Sequence, residues 1–149
     1  MKHMSSRLTR EFWTYLQDQA ELHEQAYCQT ICDQAYRDEM RAAAETYDWL
    51  AKEFLLSFAA TVSAGSGREN GLTAEETSHF LHHLDQKIQH FALGQEKLQQ
   101  NRQQALAKAL DWDYSRVRRI YREMENVTAC ELAAYRNSRA QFLNMLEEE

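Results

Sequence analysis

Apolar residues recur along this chain at steps of three and four, and the recurrence is interrupted in only a few places. In the first stretch Leu8, Phe12, Tyr15, Leu16, Leu22, Ala26 and Tyr27, with the polar Gln19 between Leu16 and Leu22, keep that spacing; in the second Met40, Ala43, Ala44, Tyr47, Leu50, Ala51, Phe54, Leu55 and Phe58 do. An α-helix turns once in about 3.6 residues, so each series forms a stripe along one helix face. Residues 6 to 62 hold neither Gly nor Pro and are rich in Ala, Leu, Glu, Gln and Arg, which favour helix. The pattern predicts a helical hairpin over about 5 to 62, with its boundary between Cys32 and Arg37 and Asp33 suited to cap the second helix.

The stripe stops at Ser63 to Gly71, where three of the four glycines fall, and this segment predicts a loop over 63 to 72. Thr73-Ala-Glu-Glu76 then has the form of a capping box, in which the threonine hydroxyl accepts from one orphan amide and the glutamate from another. A helix from residue 74 is expected to carry Phe80, Leu81, Leu84, Ile88, Phe91 and Leu98, with Gly94 as a weak point. A second such box, Thr128-Ala-Cys-Glu131, predicts the start of a last helix through Leu132, Tyr135, Phe142 and Leu146. The expectation is one all-α domain over 1 to 149: a helical bundle of four to six helices, without strands, whose C-terminal helices cover about 73 to 147. Met1-Lys2-His3-Met4 is left outside that fold.

Composition narrows the class. At 149 residues, 44% hydrophobic and 27% charged, the chain has enough apolar surface for one globular core. The longest apolar run, Phe54 to Val62, is nine residues broken by Ser57 and Thr61, whereas a membrane span needs about 20. No membrane association is expected, and the first 30 residues offer no signal-like apolar stretch, so the expected location is cytoplasmic. Cys28, Cys32 and Cys130 are an odd set and are expected as free thiols.

Charge is uneven in a way that matters. The net charge is −6, yet residues 101 to 123 hold six basic residues against three acidic ones: Arg102, Lys108, Arg116, Arg118, Arg119 and Arg122. The segment 103 to 122 carries Leu106, Ala107 and Leu110, then Trp112, then Val117 and Ile120. In this it resembles the helix-turn-helix unit of phage-repressor-like DNA-binding proteins, with Asp111 where that unit usually has Gly. The resemblance implies that Ala107 sits where two helices cross, and that Tyr114, Arg116, Arg118, Arg119 and Arg122 face a DNA groove. The same residues also read as a plain bundle helix, because Leu106, Leu110, Asp113, Val117, Ile120, Met124 and Val127 alternate at four and three.

Other chemistry is sparse. Glu76, His79, His83 and His90 share one arc of the third helix, away from the arc of Phe80, Leu84 and Phe91. A solvent-facing polar stripe is expected there, with no ordered metal; a metal-binding bundle through His79 and His83, which at i and i+4 can chelate one ion, is the lesser alternative. No nucleophile-base signature and no phosphate-cradling loop occurs, so neither an enzyme nor a cofactor is expected. The functional expectation is a helical regulatory or interaction protein, with duplex DNA at 103 to 122 as its sharpest form. An adaptor, export chaperone or inhibitor that meets an acidic protein partner is the alternative, and a homodimer stays open.

Overall fold

The computed structural model of the chain describes residues 3–62 and 71–147. Over these residues it is all-α: α1 spans Ser6–Gln29, α2 Gln34–Val62, α3 Ala74–Lys108 and α4 Tyr114–Glu147. Residues 63 to 70, most of the expected loop, lie outside the described residues.

Local chemistry sets three of the helix starts. The Ser5 hydroxyl accepts from the Leu8 amide, and the Asp33 carboxylate accepts from the Tyr36 amide at 3.0 Å. Thr73 and Glu76 close the expected capping box, at 3.1 Å from the Glu76 amide to the Thr73 hydroxyl and 3.0 Å from the Thr73 amide to the Glu76 carboxylate. Each bond satisfies an amide that the first helical turn leaves without a partner.

The second box is not a helix start. α4 runs without interruption from Tyr114 to Glu147, and the Thr128 hydroxyl donates to the Met124 carbonyl one turn back, as interior threonines do. The helical turn before Thr128 is in place, so its neighbouring amides already have i−4 partners and need no cap. Gly94 likewise leaves α3 continuous. In α2 the regular backbone breaks at Phe58, with φ −130° and ψ 32°.

The four helices alternate in direction, and each sends one phenylalanine to a common centre. Phe12, Phe54, Phe80 and Phe142 meet edge to face, with ring centroids 4.9 Å apart for Phe80 and Phe142 and 5.0 Å for Phe12 and Phe142. That geometry sets the positive ring edge on the negative face of the next, which adds to the large apolar area buried. Leu8, Leu16, Leu50, Leu84 and Leu146 complete the core around it.

Met4, one of the residues set aside in the sequence, belongs to this core. Met4 is fully buried, and its amide and carbonyl pair with Leu72 at 2.9 and 2.8 Å, the one bridge of β type among the described residues. Gly71 makes the approach feasible: a Cβ there would stand 1.9 Å from the Met4 carbonyl oxygen. This pairing also levels the starts of α1 and α3, which fixes how far each helix reaches at the opposite end.

Candidate functional site

α3 has 35 residues against 24 in α1, so from a common level it extends about 16 Å further at 1.5 Å per residue. α4 returns beside it. Arg139 meets Asp85, Tyr135 stacks on Phe91 at 5.3 Å, and Arg102 Nη1 meets Glu125 Oε2 at 2.8 Å, one steady antiparallel register over the whole length. Past the α1–α2 connection these two helices stand alone as an arm.

Burial follows that geometry. No described residue between Leu84 and Leu132 is fully buried. Within the body, α2 covers α4: Ala42, Thr46 and Trp49 line one cleft with Val127, Glu131 and Tyr135. The same α4 stripe continues outward through Met124, Ile120 and Val117, toward the end where α2 begins at Gln34. Ile120 is 42% and Met124 45% exposed.

The backbone reverses between Lys108 and Tyr114, where Asp113 donates its amide to the Leu110 carbonyl at 2.9 Å and its own carbonyl accepts from Val117. A reversal here serves any helical hairpin, and the surroundings differ from those the repressor-like unit implies. Ala107, expected at a crossing of helices, is exposed; Leu110 of the first helix and Trp112 of the turn are 61% and 80% exposed. Val117 is half-buried. The two helices run antiparallel, as the pairs Arg139–Asp85 and Arg102–Glu125 require.

The basic residues share the arm with these apolar ones. Tyr114, Arg116, Arg118, Arg119 and Arg122 all lie exposed on the first turns of α4. Among the described residues, neither these arginines nor Lys108 form an ion pair. Arg102 is the exception, held by Glu125, and with Arg118, Arg122, Leu106 and Asn126 that pair lines a groove of about 380 Å³. One Glu125 oxygen, Oε1, is buried there without a hydrogen-bond partner.

Where the arm leaves the body the environment turns acidic. Burial, and then the nearby Glu45, push the Glu131 carboxyl up; burial, then Glu39 and Glu131, push the Cys130 thiol up. Burial does the same to the Tyr135 phenol, which lies at about 12. Cys28 and Cys32 are exposed and free.

The histidine arc is not purely a solvent-facing stripe. His83 Nε2 lies 3.0 Å from Glu53 Oε2 on α2, and both line a cleft of about 480 Å³ with Glu76, His79, Phe58 and Phe80. Glu53 was not legible as a partner, since nothing in the spacing of α2 marks which helix will face it. Among the described residues no group of three or more His, Cys, Asp or Glu side chains converges as metal ligands.

No protein-family model, no curated protein and no solved structure matches this chain.

Proposed function

We propose that the protein is a helical interaction protein, and that the end of the α3/α4 arm docks a macromolecular partner with an acidic surface. The observation that carries this reading is the continuation of the body's apolar stripe into exposed Met124 and Ile120, flanked by cations that form no ion pair among the described residues. Trp, Tyr, Met and Arg are the residue types enriched at interface centres, and Trp112, Tyr114, Met124 and Arg116 supply all four within the arm. A contiguous exposed apolar patch of this kind is costly on a monomer unless something covers it.

The test is affinity capture with the wild-type chain and with Trp112→Ala/Ile120→Glu as bait. The expected result is a protein retained by the wild type, whether a second, differently tagged copy of the chain or another protein, lost with the variant and weakened by salt. Identical retention by both baits overturns the reading.

Duplex DNA is the second reading, favoured by the exposed arginines beside Tyr114. It predicts a low-salt mobility shift with mixed-sequence duplex, because each neutralised phosphate releases counterions. Arg116→Ala and Arg119→Ala should then each lower the salt slope by about one unit. No shift at low salt removes it.

A further inference from the structure

We infer that the partner of the arm is a second copy of this chain, inverted, so that each arm lies against the other and its tip abuts the other copy's α1–α2 end. This rests on the reading of the arm as a docking surface and names its occupant. Two features support it, one of shape and one of charge.

The arm overhangs the α1–α2 end by about 16 Å, which leaves a step beside it of the same depth. Inverting a second copy places its arm in that step, and the two antiparallel hairpins then form a four-helix arrangement like that of the body. Met124, Ile120 and Val117 meet their counterparts across a two-fold axis, as a self-complementary surface requires. The tip, with Leu110 and Trp112, reaches the level of the other copy's α1–α2 connection. There Ile31 is 85% exposed and Tyr36 is also exposed.

Charge is complementary over those same surfaces. Residues 101 to 123 carry six basic residues against three acidic, whereas residues 18 to 39 carry six acidic residues against one basic. The acidic ones include Glu24, Asp33 and Asp38, all exposed, and the lone cation, Arg37, is engaged over the Tyr27 ring at 4.6 Å. Arm lies beside arm in either orientation, but a parallel pair of copies would set tip beside tip and acidic end beside acidic end, so that no basic tip faces an acidic end. Inversion sets opposite charges together at both ends, which fixes orientation as well as contact.

Sedimentation equilibrium is the test, with circular dichroism to check that each variant is folded. The expected result is a dimer that weakens with salt, since exposed charge pairs are screened. Ile120→Glu should raise its dissociation constant by about tenfold or more. Arg116→Glu/Arg119→Glu and Glu24→Arg/Asp38→Arg should each weaken self-association, and an equimolar mixture of the two should restore it, because every arm then faces an end of opposite sign. An independent check is Ser115→Cys under mild oxidation: a cross-linked dimer through Cys32 is expected, whereas the wild type should give none.

A monomer at every concentration up to about 100 µM overturns the second copy, since weak docking registers in the micromolar range. Dimers that ignore the Glu24 and Asp38 changes overturn the inverted arrangement. Loss of the second copy leaves the docking arm itself to the capture experiment, where retention of another protein by the wild type and not by the variant upholds it.

Discussion

α3 and α4 belong to two regions at once. In the body they supply Phe80, Leu84, Phe142 and Leu146 to a core closed on all sides by α1 and α2, while in the arm they present Leu110, Trp112, Ile120 and Met124 to the outside. The helical periodicity is the same in both. What differs is where the neighbouring hairpin ends, so identical patterning yields a core in one half and an uncovered surface in the other. Hydrophobic residues on a helix face report that something is to be covered; they do not report what covers it.

The sharpest way to break this contrast is to truncate one side chain in each region. Phe142→Ala, which removes a ring touching Phe12 and Phe80, should cost about 3–5 kcal/mol in denaturant unfolding. Trp112→Ala should stay within about 0.5 kcal/mol when measured on dilute protein. A comparable loss at Trp112 would mean that the arm shares the body's core, and the distinction drawn here would be lost.

Next in size is the tie at the base of the body. Gly71→Ala forces a Cβ onto the Met4 backbone and should destabilise by about 1–3 kcal/mol, with the Met4–Leu72 amides losing protection from hydrogen exchange. Unchanged protection there would show that the close approach is not needed.

The two threonine boxes sharpen the comparison further. Thr73→Ala removes a working cap and should cost about 1 kcal/mol. Thr128→Ala, in the interior of α4, should change stability by less than about 0.5 kcal/mol, with Ala the better helix former at that site.

The smallest effect lies at the junction of the two regions. Because the folded carboxyl of Glu131 titrates above its unfolded value of about 4.3, its ionisation disfavours the fold as pH rises through the raised value. Glu131→Gln should therefore stabilise the protein at neutral pH, and the difference should vanish below the ordinary glutamate value. The raised Cys130 thiol should react with alkylating reagents after the exposed Cys28 and Cys32, as mass spectrometry of partly labelled protein can read.

Much of the helical framework was legible in advance. The stripes of α1 and α2, the Asp33 cap and the Thr73 box are local: a hydroxyl or carboxylate reaches an amide three residues on, and a 3.6-residue repeat groups side chains without help from distant chain. The basic segment was legible for the same reason, as a count over neighbouring residues. The false start at Thr128 shows the limit of such signals. The capping motif is present there, but the preceding turn is held in helix by α4 continuing alongside α3, so the motif has nothing to cap.

The sequence by itself determined that this protein is built of long amphipathic helices, where two of them begin, and that one short stretch is cationic. Only the tertiary structure decided that Met4 enters the core against Leu72, that Glu53 meets His83, and that the stripe of α4 is half-buried at Val127 beside Ala42 of α2 and exposed at Met124 and Ile120. The reason is range: periodicity and capping act over three or four residues, whereas cover depends on how far a helix some 80 residues away in the chain happens to extend.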